Sequence, residues 1–122
     1  MLNMISEHKE QSLLIKWCFR HADEFDGLDA IFSIPNGGNR DAITGAMLKR
    51  EGLRAGIPDL MIPVAKRGKN GLFLEMKKRK GGKVSEKQLA WKTRLEALGY
   101  QVEVCKGFAE AQGAIRKYYG KG

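Results

Sequence analysis

Asp59, Glu75 and Lys77 are the residues of this chain whose types and spacing suit chemistry. They fall in a segment, residues 56–77, that reads as a β-hairpin. Its first arm is 59–64, its Gly- and Lys-rich turn 66–71 and its second arm 72–77. Side chains alternate along a strand, so Phe73, Glu75 and Lys77 share one face and Leu72, Leu74 and Met76 the other. A turn centred on Gly68 sets Asp59 opposite Lys77 and Met61 opposite Glu75. Asp59 and Glu75 are then diagonal neighbours, roughly 7–8 Å apart at Cα. Two carboxylates brought to about 4 Å repel by roughly 4 kcal/mol at an effective dielectric near 20. A hard divalent cation offsets that repulsion, and Mg²⁺ takes one or two carboxylates plus water and phosphate oxygens. Lys77 beside it can hold or deprotonate an attacking water, or stabilise a pentavalent phosphate. The competing reading is structural: an Asp at a strand start and a Glu–Lys salt bridge across one face.

These residues need a frame. Residues 6–22 read as a first helix, with Glu10, Leu13, Leu14, Trp17 and Cys18 at i, i+3, i+4, i+7 and i+8. Glu10 therefore sits at the inward edge of that helix, a costly place for a charge without a partner. A helix end overhanging Asp59 and Glu75 accounts for it; a solvated Glu favoured by the helix dipole accounts for it equally. Glu7, one turn earlier, is the rival. Residues 26–29 read as a loop and 30–34 as a short strand, broken by Pro35, Asn36, Gly37, Gly38, Asn39 and Arg40. Adjacent glycines let the backbone approach a phosphate closely, and Arg40 can contact one; a plain turn is the alternative. Residues 41–51 form a helix with Ile43, Ala46, Met47 and Arg50 near one face.

Beyond Lys77, the residues Lys78, Arg79, Lys80, Gly81, Gly82 and Lys83 make a flexible cationic loop suited to a nucleic-acid backbone. Residues 85–98 form the next helix, where Ser85 and Gln88 have the spacing of a capping box and Trp91, Leu95 and Leu98 make a core stripe. Residues 101–105 alternate as a half-buried strand, with Val102 and Val104 on one face, and 109–119 form the last helix. The order is α-β-α-β-β-α-β-α. The hairpin supplies antiparallel pairing and the β-α-β step allows a parallel neighbour. The expected architecture is an α/β fold: a mixed β-sheet flanked by helices.

A chain of 122 residues is expected to be one domain, 1–122. The formal charge of +8 favours a polyanionic partner. Cys18 and Cys105 each lie in an apolar segment, as buried free thiols of a reducing cytosol do. His8 and His21 make no zinc pattern with them. There is no signal peptide and no apolar run near the ~18 residues of a membrane span, so a cytoplasmic location is expected.

Pro58 and Asp59, followed by Glu75, Met76 and Lys77, resemble the PD-(D/E)xK nuclease motif. The flanking text is similar to the VRR-NUC branch of that superfamily. Its matching stretches are residues 33–38 (SIPNGG), 52–60 (GLRAGIPDL), 74–77 (LEMK) and 85–88 (SEKQ), and the resemblance runs from about Glu7 to Tyr119. It implies a restriction endonuclease-like fold. It implies that Asp59 and Glu75 bind metal, that Glu10 joins them from the first helix, that Lys77 positions water and that Gln88 projects near the site. Asn36, Gly37, Gly38 and Arg40 match the family's loop after the first strand. Stand-alone members look like phage or mobile-element enzymes that cut junctions as dimers.

The expectation is a Mg²⁺-dependent DNA endonuclease, with Mn²⁺ able to substitute, selective for branched or four-way-junction DNA. A second copy is expected because cutting two strands needs two sites and this chain supplies one. Leu13, Ile15, Trp17 and Phe19 occupy more of the first helix than one core stripe requires, which leaves surface for that copy. The alternatives are a non-catalytic basic nucleic-acid-binding domain and a basic adaptor for an acidic protein.

Overall fold

The chain runs α1 (Glu7–Arg20), a 3-10 turn (Leu28–Ala30), β1 (Phe32–Ser33), α2 (Ala42–Arg50), β2 (Leu60–Ile62), β3 (Leu72–Lys77), α3 (Glu86–Ala97), β4 (Gln101–Lys106) and α4 (Phe108–Tyr118). The computed structural model describes residues 6–36 and 41–121. The expected order of helices and strands holds. Among the described residues, three of the four α-helices start on a side chain that accepts from an otherwise orphaned backbone N–H. Ser6 accepts from Lys9 N, Asp41 from Thr44 N and Ser85 from Gln88 N. The fourth starts at Gly107, whose φ of 93° suits glycine.

The four strands lie in the order β1-β2-β3-β4. The first two pairings are antiparallel; β3 and β4 are parallel. Parallel neighbours need a crossover, and α3 provides it. Alternation along β3 divides the interior in two. Leu72, Leu74 and Met76 pack with Leu14 and Cys18 of α1 and Ala111 and Ile115 of α4. Phe73 packs on the other side with Leu95 of α3 and Val102 of β4. That second layer is thinner than the sequence implies. Leu95 is buried, but Trp91 is half-buried and Leu98, the C-cap residue, is 49% exposed. Among the described residues, little covers the apolar face of α2: Ile43 is 76% and Met47 46% exposed.

The hairpin differs from expectation in register. Its tip is a two-residue turn at Arg67 and Gly68, both with positive φ (45° and 81°), the signature of a type I′ turn. Lys66 and Lys69 close it with reciprocal backbone bonds of 3.1 and 2.8 Å. The turn is thus centred between Arg67 and Gly68, not on Gly68. Residues 63–65 then separate Ile62 from Lys66, while only 70–71 separate Lys69 from Leu72. The turn's centre and this extra outgoing residue each move the register by one. Leu60 therefore faces Leu74, and regular pairing covers 60–62 rather than 59–64.

Candidate active site

The corrected register brings the two carboxylates closer than the diagonal relation allowed. One step before the Leu60–Leu74 pair, Asp59 falls opposite Glu75, not opposite Lys77. Asp59 stands where β2 has not yet begun, and its side chain does what a ladder residue would do. Its Oδ2 accepts from Met76 N at 2.7 Å. Its Oδ1 accepts from Asn36 Nδ2 at 3.3 Å, and its own carbonyl accepts from Ile34 N at 2.8 Å. Asn36 also donates to the Ile57 carbonyl at 2.8 Å, tying the end of β1 to the approach of β2. Asn36, which the sequence groups with the glycine loop expected near a nucleic-acid backbone, here holds Asp59 in position.

Glu75 is 5% exposed. Its Oε2 accepts from Gln88 Nε2 at 3.0 Å and lies 3.6 Å from Lys77 Nζ. Its Oε1 is buried with no hydrogen-bond partner. Burial, and then the adjacent Asp59 charge, push the Glu75 carboxyl up to about 8, against the pull of Lys77. The Glu–Lys contact of the competing reading is present, but burial and Asp59 outweigh it. Gln88 completes the group from α3: its Oε1 accepts from Lys77 Nζ at 2.7 Å and from Ser85 N at 2.9 Å. One side chain therefore closes the capping box and binds both charged residues of β3. The two expected roles of Gln88 coexist.

Two oxygen-rich side chains, one with an unpartnered buried oxygen, fit a hard divalent cation. Among the described residues, no three His, Cys, Asp or Glu side chains converge on one point. Glu10 is the carboxylate that stays out. It is 1% exposed, while Glu7 is half-buried, so the inward turn of α1 is the one that carries Glu10. It packs on the α1/α4 side of β3, whereas Glu75 points toward α3. Both Glu10 oxygens bind Arg79, at 2.9–3.1 Å, and Oε1 accepts from Phe108 N at 2.8 Å. Arg79 holds the Glu10 carboxyl below the usual range. Gly107 makes room for this arrangement, since a Cβ there would lie 3.0 Å from Glu10 Oε1.

The rest of the cationic loop is open. Lys78, Lys80 and Lys83 are exposed and have no ion-pair partner among the described residues. Gly37, Gly38 and Arg40 lie outside the described residues. Cys18 and Cys105 are free and buried, and burial pushes each thiol up to about 12, which leaves them inert. No helix among the described residues is long and apolar enough to cross a membrane. The Glu10–Arg79 pair had no signal in the sequence, because its members stand 69 positions apart.

Comparison with known proteins now bears on this geometry. The family model of the VRR-NUC domain matches residues 3–109. A solved structure described as a VRR_NUC domain protein superposes with a TM-score of 0.83 at 28% identity, covering 98% of this chain and 93% of that one. No curated protein matches the chain.

Proposed function

The chain belongs to the VRR-NUC family of nuclease domains, and from that premise we propose that it is a metal-dependent DNA endonuclease centred on Asp59 and Glu75. The observation that carries this reading is Glu75 Oε1, buried and unpartnered beside a second carboxylate. A fold does not strand a carboxyl oxygen there for stability, since a buried polar atom left unsatisfied costs about 1–3 kcal/mol or more. Asp59 and Glu75 would hold Mg²⁺, with Mn²⁺ able to substitute. When bound, the cation neutralises charge developing on the phosphate and lowers the pKa of its water.

The chain's own residues do the rest. Lys77, half-buried beside Glu75, donates to Gln88 and keeps its ammonium beside the Glu75 carboxylate, where it orients water or the phosphate. Gln88 fixes Glu75 Oε2, leaving Oε1 for the cation. Glu10 enters as the assisting carboxylate only when Arg79, two residues beyond Lys77, releases it. Lys78, Lys80 and Lys83 hold the DNA backbone, joined by Arg79 once it is released.

The same reading takes in branched or four-way-junction DNA as substrate, cut by a C₂ homodimer that presents two centres. Leu13 and Phe19 of α1, 36% and 57% exposed, are the apolar surface a second copy would cover. A bacterial cytoplasm, in a phage or mobile-element setting, belongs to the same reading.

Calorimetry with Mg²⁺ and with Mn²⁺ is the first test. Low-millimolar or tighter binding that Glu75→Gln removes is expected; no binding by the natural protein would leave a basic DNA-binding domain. Cleavage across linear, nicked, flap and four-way-junction DNA then tests the substrate. Light scattering at micromolar concentration tests the dimer, and a monomer that cuts only flaps or single strands would defeat the junction proposal.

A further inference from the structure

The solvent side of α3 gathers cations for which the cleavage centre has no use. Arg54, Lys87 and Arg94 line one groove of ≈ 620 Å³ with Trp91 in its wall. Lys87, Trp91 and Arg94 follow one another at i, i+4 and i+7, one face of the helix. The Arg54 guanidinium lies 4.9 Å from the centroid of the Trp91 ring. A stacked guanidinium keeps its edge free for hydrogen bonds, the geometry that suits a phosphate. None of the three cations has a carboxylate in ion-pair range among the described residues, and the nearby acid of the last turn, Glu96, is bound to Lys92 at 2.6 Å. Three like charges along one groove repel, so the arrangement favours an anionic occupant over an empty one.

This groove is fixed to the cleavage centre. Gly56, with φ 89°, passes so close to α3 that a Cβ would lie 2.7 Å from Lys87 Cβ and 3.1 Å from Gln88 N. The loop that carries Arg54 therefore rests on the same helical turn whose Gln88 binds Glu75 and Lys77. From Lys87 to Arg94 the helix rises about 10 Å, the axial length of roughly three nucleotides of one strand.

We propose that this groove is a second docking surface for the DNA backbone, flanking the cleavage centre, with Arg54, Lys87 and Arg94 on successive phosphates and Trp91 holding Arg54 in place. The proposal takes its substrate from the nuclease reading, but its test needs no cleavage.

The test is the salt dependence of duplex binding, read by fluorescence anisotropy. It compares the natural chain, the doubly substituted Arg54→Gln/Arg94→Gln chain, and a control with Lys69→Gln/Lys117→Gln at the hairpin-tip end of the sheet. All four of these residues lie at or near the surface, and circular dichroism checks the fold; Arg94→Gln alone, which spares the Arg54–Trp91 contact, should carry half the change. Two lost phosphate contacts should flatten the log–log slope by about 1.8, so that between 50 and 200 mM salt the natural chain loses about tenfold more affinity than the groove variant. The control should keep the natural slope. An unchanged slope in the groove variant, or an equal change in the control, overturns the proposal, as does absence of DNA binding by the natural chain. A natural chain that binds with full slope yet never cuts overturns the nuclease reading alone.

Discussion

Two glutamates are buried in this protein, and they are buried in opposite ways. Glu10 is surrounded by donors: Arg79 on two sides and the first amide of α4 on a third. Glu75 receives one amide and a lysine at 3.6 Å, faces another carboxylate and keeps one oxygen unpartnered. Their proton affinities diverge accordingly, Glu10 below the ordinary value and Glu75 up to about 8. Burial alone does not mark a site; burial with the charge left unbalanced does. Glu10 has its charge matched by donors, while Glu75 keeps an oxygen without one.

The strongest way to break this comparison is to remove each carboxylate's charge and keep its shape. Glu75→Gln should lower the cleavage rate at least about a hundredfold, the scale of losing a group that acts on the transition state. Asp59→Asn and Lys77→Ala should do likewise. Natural turnover by Glu75→Gln would mean that the orphaned oxygen is a packing defect.

Stability should then separate the pair by sign. Glu10→Gln and Arg79→Met each leave buried polar atoms poorly matched, and each should lose about 1–3 kcal/mol in chemical denaturation. Glu75→Gln should lose nothing at pH 8 and gain, because it removes repulsion from Asp59. Equal losses from the two Glu→Gln changes would erase the distinction.

The pH dependence sharpens it further. The folded Glu75 carboxyl keeps its proton up to about pH 8, whereas an unfolded one releases it near 4.5. Between those values the folded state binds more protons, so metal-free stability should fall as pH rises, by up to about 1.4 kcal/mol per pH unit. Glu75→Gln should flatten that slope. Glu10 acts on the acid side: its contribution is complete above 4.5 and is lost as pH falls through its lowered folded value. Metal affinity should climb with pH and level off above about 8.

The smallest effect belongs to Glu7→Ala, expected within about 0.5 kcal/mol of the natural chain and milder in cleavage than Glu10→Ala. A larger effect at Glu7 would assign the buried turn of α1 wrongly.

Much of this was legible in the sequence because it is local. Capping residues three positions before the backbone N–H they accept from, period-two strands and period-3.6 helices state themselves, and the element order follows from them. The PD…ExK spacing put Asp59, Glu75 and Lys77 on one hairpin. What the sequence withheld depends on chain paths it does not encode locally. The register turned on where a Gly- and Lys-rich turn closes and on one extra residue in the outgoing arm. Arg79 looked like one cation among four in its loop, and only the meeting of α1, α4 and the loop after β3 shows it bound to Glu10. Asn36 looked like part of a glycine turn, and only the β1–β2 pairing sets it against Asp59. Periodicity set Ile43 and Met47 near one face of α2, yet a period says which side is apolar and not whether anything covers it.

Gln88 carries a consequence for motion. Its side-chain oxygen completes the first turn of α3 and holds Lys77, while its amide holds Glu75. Helix ends fray, and when this one does, both charged residues of β3 lose their tether together. On the nuclease reading, the opening equilibrium of three or four amides at the start of α3 should therefore set what fraction of the protein has Glu75 and Lys77 tethered. Hydrogen exchange there should slow when a cation binds, and Ser85→Ala, which touches no charged residue, should speed exchange and slow turnover in step.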